Sequence, residues 1–382
     1  MRKLFSIALI SLMSLATHLV AHGQIEHPIL PLGSKAPNFA LPGVDGKTHK
    51  LSDYAKARVL VIIFTCDHCP IAQMYESRIE KLYEEYKNRG VAVVAIEGND
   101  PKATVINELD SSDVGDTPAD MKIRVQYKHL HYPYLYDGDT QAVTRAYGPQ
   151  ATPHVFIFDQ NRRLRYEGRF DNSYRIEKVR THDAQNAIDE LLAGNPVKVA
   201  HTAVFGCSTK WAEKMALVAE YNEKLDATPV TVSMVNAADL KKLRANSGDQ
   251  YTLVDFWATW CSSCIAEFAD LQNTFRMYSD RGLNLVTVSV NSPDEKRSVL
   301  SFLQKHHATS RNLLLDSDDA ASLQAAFDPK WQSAVPYTVL LGPDGKVLYK
   351  SLGSVDILQL RRKILAAVPS AYIGFNKYWE GQ

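Results

Sequence analysis

Apolar residues fall into two kinds of pattern along this chain, and the pair occurs twice. Nearly unbroken apolar runs at 59–64 and 253–257 have the length and the β-branched or aromatic make-up of buried strands. Each run leads into a Cys-x-x-Cys, Cys66 to Cys69 and Cys261 to Cys264. After the first pair, Ile71, Met74, Tyr75, Ile79, Leu82, Tyr83 and Tyr86 recur at helical spacing, which predicts one helix from the cysteines to Lys87, ended at Gly90. Residues 91–96 read as the next buried strand and the polar stretch 97–125 as a crossover loop with a short helix. An Asp137-Gly138-Asp139 turn precedes a helix at 141–147. Pro153 then introduces a strand at 155–158, paired as a hairpin with 163–166, and a helix at 177–192 closes the unit. Upstream, Phe39 to Lys47 reads as a short strand and an Asp-Gly turn.

The second half repeats this order. Cys66 lies 87 residues before Pro153 and Cys261 lies 75 before Pro336, while each proline is followed 13 residues later by a tyrosine, Tyr166 or Tyr349. Such agreement argues for duplication of one fold. Between the halves, a helix is expected at 208–225, a strand at 230–235 and a helix at 237–245. The fold class is therefore α/β, with two tandem domains that each carry a central mixed sheet flanked by helices. The expected division is 24–212, a helical linker at 213–228, 229–368, and an aromatic tail at 369–382 whose Tyr372, Phe375, Tyr378 and Trp379 pack back on a domain.

Residues 1–23 change the picture of where the chain works. Arg2 and Lys3, an apolar run from Leu4 to Val20, and Ala21-His22-Gly23 have the form of a signal peptide, with cleavage near Gln24. An uncleaved anchor is the other reading, but Ser11, Ser14, Thr17 and His18 interrupt a run already short for a bilayer. The expectation is a periplasmic or secreted protein without stable membrane insertion. Lysine plus arginine and aspartate plus glutamate number 43 each, so charge gives no reason to expect nucleic acid. Five cysteines in 382 residues are far too few for a disulfide framework, and the sulfur reads as working chemistry.

Cys-x-x-Cys between a strand and a helix admits metal binding or redox exchange. Zinc ordinarily takes two more ligands, and neither half offers a second close cysteine pair or a histidine at finger spacing, so no metal and no cofactor are expected. At a helix start, free N–H groups stabilise an anion, so the first sulfur of each pair, Cys66 or Cys261, is expected to be the thiolate that attacks a disulfide. Cys69 or Cys264 then resolves the mixed disulfide.

Residues 254–264, Val-Asp-Phe-Trp-Ala-Thr-Trp-Cys-Ser-Ser-Cys, resemble the active-site strand and helix start of thioredoxin, and Val335-Pro336-Tyr337-Thr338 resembles its cis-proline loop. The resemblance covers about 228–368. It implies that Asp255 is the buried carboxylate that helps deprotonate Cys264, and burial on a core strand would raise its pKa and suit it to that role. A strand-end, solvated Asp255 is the plainer reading. Trp260 is placed to shield the disulfide and dock clients, Trp257 to pack. Lack of Gly-Pro between the cysteines, with Glu267 and Phe268, is similar to exported thioredoxins of cytochrome maturation and disulfide reduction.

The first half, over about 30–212, resembles an uncharacterised bacterial redoxin or peroxiredoxin-like thioredoxin family through Phe64-Thr-Cys-Asp-His-Cys-Pro70, Thr152-Pro153, Gly168-Arg-Phe-Asp171 and Gly206-Cys-Ser-Thr-Lys-Trp211. Leu60 stands where Asp255 stands in the second half. His68 either acidifies Cys66 as a partly cationic ring or is a solvated loop residue. His154 would face the same sulfur, and Lys102, Arg145 and Arg169 would line the rim. Cys207, in an apparent helix-start context, is inert, a relay partner for Cys66, or a site of intermolecular pairing.

These expectations add up to an exported thiol–disulfide oxidoreductase with two centres. It would reduce protein disulfides with electrons from a membrane donor, and its partners would be protein disulfide or dithiol clients. The alternatives are a thiol peroxidase centred on the first domain, and a client-binding scaffold with one active redox domain.

Overall fold

A computed structural model of the chain describes residues 27–369 except 249, 318 and 333. The expected leader and aromatic tail lie outside the described residues, apart from Pro369. Two mixed sheets carry the fold. The first has the order Tyr134–Tyr136, Val91–Glu97, Val59–Thr65, His154–Phe158, Leu164–Gly168, parallel across the first three strands and antiparallel across the last two pairings. The second has the order Ser233–Val235, Arg311–Leu315, Leu283–Ser289, Tyr251–Trp257, Tyr337–Leu341, Val347–Leu352. Its last five strands repeat the first sheet strand for strand and direction for direction, and Ser233–Val235 is an added edge.

Helices on both faces explain why the central strands are apolar throughout rather than alternating. Every residue of Val59–Thr65 is buried, as are Leu253 to Trp257. Asp255 is the one charged side chain within that second run, so its burial is imposed by the strand that carries it.

Three expected elements differ. The helix after the first cysteine pair is broken into Pro70–Gln73 and Glu76–Tyr86. At the break, Tyr75 donates its hydroxyl to Asp171 at 2.7 Å, and the same carboxylate takes Arg78 Nη1 at 2.8 Å, a buried ion pair that holds the second segment at its own angle. The helix expected at 177–192 begins only at Asp183, after a 3-10 turn, because Asn172 Oδ1 accepts the N–H groups of Arg180 and Thr181. The helix expected at 208–225 is Met215–Asp226, and Cys207–Ser208 is instead a two-residue strand paired antiparallel with Ala151–Thr152.

The halves meet through the segment between 105 and 116. Tyr278 donates to the Ser112 carbonyl at 2.6 Å, Arg281 to that of Asp110 at 2.8 Å and Arg361 to that of Asp113 at 3.1 Å. Arg362 pairs with the buried Asp113 carboxylate at 2.6 Å. Met74, Ile106, Leu109 and Tyr127 extend the apolar cluster formed by Leu271, Tyr278, Leu360 and Ile364, so one core crosses the junction. No helix among the described residues is long and apolar enough to cross a membrane.

Candidate active sites

In the second half, the strand Tyr251–Trp257 delivers the chain to Cys261, the N-cap of the helix Ser262–Tyr278. The Cys264 N–H donates to Cys261 Sγ at 3.2 Å, satisfying one of the amides that a helix start leaves open. Cys261 and Cys264 are joined as a disulfide. The Val335–Pro336 peptide is cis, and the Val335 carbonyl oxygen lies 3.7 Å from Cys261 Sγ. Asp255 is buried and pairs in register with Thr338, whose hydroxyl donates to Asp255 Oδ1 at 2.8 Å. Burial pushes its pKa up to about 7; the Thr338 hydrogen bond opposes this, and the nearby Glu267 carboxylate adds to it. The solvated alternative for Asp255 is therefore excluded. Trp260 is 63% exposed beside the disulfide, whereas Trp257 is fully buried against Phe268 and Phe302.

The first centre is built differently. Pro70 occupies the first helical position, so the helix starts one residue after Cys69 and Cys69, not Cys66, is the N-cap. The Ala72 N–H donates to Cys69 Sγ at 3.4 Å. Burial works against a Cys69 anion. Hydrogen bonds from the Cys207 and Cys66 thiols, the charge on His68 and the Ala72 amide overcome it, and the Cys69 pKa falls well below that of a free cysteine. Burial and the adjoining Cys69, Asp116 and Glu97 push Cys66 up. Cys66 Sγ lies 3.1 Å from Thr152 Oγ1, and the Thr152 hydroxyl donates to the Cys207 carbonyl at 3.5 Å. The expectation that Cys66 is the acidified sulfur is thus corrected. Both cysteines of this pair are free and buried.

His68 is neither solvated nor a simple neighbour of Cys66. Its ring is buried, with Nδ1 2.5 Å from Asp116 Oδ2. Burial would lower its pKa, but the Asp116 charge and hydrogen bond outweigh that and raise it, while His68 holds Asp116 down against the opposing effect of burial. Asp116 Oδ1 also accepts the N–H groups of Asp67 and His68, and Oδ2 accepts from Asn99 Nδ2 at 3.0 Å. Cys66, His68 and Asp116 offer ligand-type atoms within 4.8 Å of one another. With its oxygens so engaged, Asp116 acts here as the anchor of an acid–imidazole pair.

Asp116, Glu97, Asp67 and Lys210 are the residues that sequence reasoning missed. Tyr134 Oη lies between Asp67 Oδ1 at 3.1 Å and Glu97 Oε2 at 3.2 Å, and burial first, then neighbouring acid charge, raises both carboxyls well above their ordinary range. Glu97 stands opposite Thr65 on the neighbouring strand, so the buried acid that Leu60 denies this half comes from another strand. The adjacency of Asp67 to Cys66 was the available signal; Asp116, 50 residues from Cys66, gave none.

The other expected neighbours are placed elsewhere. His154 Nε2 is 3.0 Å from Glu167, and its Nδ1 accepts from Gln150 N–H at 3.2 Å, leaving neither nitrogen for a sulfur. Arg145 pairs with Glu213 and Arg169 with Asp183, while Lys102 holds no ion pair with a described residue. Lys210, buried and paired with Glu108, is a cation whose charge bears on His68 and Cys207. Thr152–Pro153 is cis, as its counterpart is.

Over 102 residues the chain is 29% identical to the thiol-disulfide oxidoreductase ResA of Bacillus subtilis, covering 27% of this chain and 52% of that protein. The match thus spans about half the length of that relative. ResA of Geobacillus thermodenitrificans is 26% identical over 159 residues, covering 42% of this chain and 81% of the relative. Among solved structures, an uncharacterized conserved protein from Geobacillus kaustophilus is 35% identical with a TM-score of 0.43, covering 48% of this chain and 93% of that one. The AhpC/TSA family model matches residues 32–167 and again 235–350, one segment on each sheet. Since the two segments together take in well over half of the sequence, and each holds a thioredoxin-like sheet with its cysteine pair, the chain belongs to the AhpC/TSA family.

Proposed function

We propose that the chain is an exported thiol–disulfide oxidoreductase with two centres, and that Cys261–Cys264 reduces disulfides in protein clients. The observation that carries this reading is the arrangement around Cys261: an N-cap sulfur against the Val335 carbonyl of a cis-proline loop, with the buried Asp255 titrating at about 7. A client cysteine-containing strand laid beside Pro336 would meet Cys261 Sγ in an extended conformation. In the reduced protein, the Cys261 thiolate attacks the client disulfide, forming a mixed disulfide and expelling one client thiolate. Asp255, as carboxylate, takes the Cys264 proton; Cys264 then displaces the second client sulfur, leaving the Cys261–Cys264 disulfide and a reduced client. The exposed Trp260 and the partly exposed Ile265 supply apolar surface beside the sulfur for the client chain. Electrons to restore the dithiol would come from a membrane donor.

The test is insulin reduction by the dithiothreitol-recycled chain, followed as B-chain turbidity. Cys261→Ser is expected to abolish the turnover that Cys66→Ser leaves measurable. Unchanged turnover in Cys261→Ser would refute the assignment.

A further inference from the structure

The first centre poses a problem of access. Cys66 is 2% exposed and Cys69 fully buried, against 7% for Cys261, so a bulky client disulfide has little route to either sulfur. Cys207, only partly buried, stands beside them. Its strand pairs with the cis-proline loop so that Cys207 is in register with Thr152. That one threonine also meets the buried pair: Cys66 Sγ is 3.1 Å from its hydroxyl and Cys69 Sγ 3.6 Å from its carbonyl. Cys207 and Cys69 each bear on the ionisation of the other. The approach is built rather than incidental. Gly206 has φ +142°, and a Cβ there would lie 2.0 Å from the Thr152 carbonyl oxygen, so glycine is what allows the Cys207 strand to press against this loop. The buried cation Lys210, three residues on, favours a Cys207 anion, although the neighbouring Cys69 and burial raise the thiol in the reduced state.

We propose that Cys207 is the third redox thiol of the first centre, exchanging with Cys69 rather than with Cys66, and that it is the port through which an outside thiol reaches the enclosed pair. This rests on reading the chain as a thiol–disulfide exchanger. In the oxidised centre, Cys69 carries no negative charge, and the cause that most raises the Cys207 pKa is gone. The Cys207 thiolate attacks Cys69 Sγ of the Cys66–Cys69 disulfide. The Cys66–Cys69 bond breaks, a Cys69–Cys207 bond forms, and Cys66 leaves as a thiolate that takes up the proton Cys207 gave up; nothing is oxidised or reduced overall. An external dithiol then attacks Cys207 Sγ, expelling the acidified Cys69 as a good leaving group. Its second sulfur closes on the first and releases Cys207, so two electrons and two protons have entered the centre.

The test uses the full chain carrying Cys261→Ser and Cys264→Ser, oxidised with one equivalent of diamide, acid-quenched, alkylated and mapped by non-reducing peptide mass spectrometry. With Cys66→Ser added, a peptide linking Cys69 to Cys207 is expected in most molecules; Cys69 and Cys207 both recovered alkylated would overturn the proposal. Without that substitution, peptides linked through Cys207 are expected alongside the internal Cys66–Cys69 form, and the internal form alone is the contrary result. In the same triple-cysteine chain, Cys207→Ser is expected to slow reduction of the Cys66–Cys69 bond by dithiothreitol at least tenfold, and an unaltered rate would count against the port. Insulin turnover through Cys261–Cys264, measured separately on Cys66→Ser alone, reports the earlier functional reading, so either can fail without the other.

Discussion

Asp255 is a carboxyl whose cost to the fold and whose use to the chemistry have the same origin. Its pKa rises from 3.8 to about 7 on burial, so the folded state holds a proton that the unfolded chain has already lost across that interval. At pH below 4 the group is neutral in both states and costs nothing. As pH rises from about 4 to about 7, stability falls by up to about 4 kcal/mol, at roughly 1.4 kcal/mol per pKa unit, and above that it falls no further on this account. Asp255→Asn should therefore melt higher than the unsubstituted chain at pH 8 and much the same at pH 4. It should also slow insulin reduction about a hundredfold, because the proton on Cys264 loses its acceptor. Equilibrium unfolding at the two pH values, beside turnover, checks both halves, and equal stability at pH 8 would mean that the carboxylate is not desolvated. This residue was legible because an acid between Val254 and Phe256 on an apolar run has nowhere to go but the core. His68 was half legible: its place between the cysteines announced a role, but the sulfur it serves depends on Asp116, which only the folded chain brings to it.

At the scale of elements, the two cysteine pairs look interchangeable in the sequence and are not, because the helices begin at different residues. Ser262 opens the second helix directly after Cys261, whereas Pro70 opens the first directly after Cys69. The open amides therefore act on the first sulfur of one pair and on the second sulfur of the other. Pro70 was in view as the cue for this shift, since proline favours the first helical position, yet the repeat itself invited equal treatment of both motifs. Likewise the strands and their order followed from apolar runs, while the break at Met74–Tyr75 and the strand at Cys207 depend on partners roughly 96 and 55 residues away, Asp171 and Thr152. Single-thiol chains test the shift by thiolate absorbance at 240 nm. With Cys207, Cys261 and Cys264 replaced by serine, Cys66→Ser leaves Cys69 with serine hydroxyls at 66 and 207 as donors and with His68 and the Ala72 amide in place, expected to titrate below the free-cysteine value of about 8.5, and Cys69→Ser leaves Cys66 with its burial and the Asp116 and Glu97 charges, expected above it. The opposite order would return the nucleophile to Cys66.

Taken as a whole, the molecule sets the two centres at opposite ends of one helix. Cys261 caps the start of Ser262–Tyr278, and at its far end Tyr278 donates to the Ser112 carbonyl, while Ser112 Oγ reaches the carbonyl of Asp67 beside Cys66. Sixteen steps of about 1.5 Å put roughly 24 Å between those ends, so in this arrangement neither pair touches the other, and electrons passing between them need a carrier or a movement of the halves. The segment that joins the halves also holds the first centre in order: Asp113 binds Arg362 and Arg124, and Asp116, three residues on, binds His68. Loss of Arg362 would leave the buried Asp113 carboxylate with one cation fewer, at a cost of about 1–3 kcal/mol given that Arg362 is itself partly exposed. Arg361→Ala with Arg362→Ala should then raise amide exchange across 105–116 and at His68, while the central strand Tyr251–Trp257 keeps its protection. Because a loosened Asp116 raises the His68 pKa less, the Cys69 thiolate should also titrate at higher pH in the doubly substituted chain. Exchange that rises at the 105–116 backbone with no change at His68 would show that docking of the halves and the ionisation of the first centre are independent.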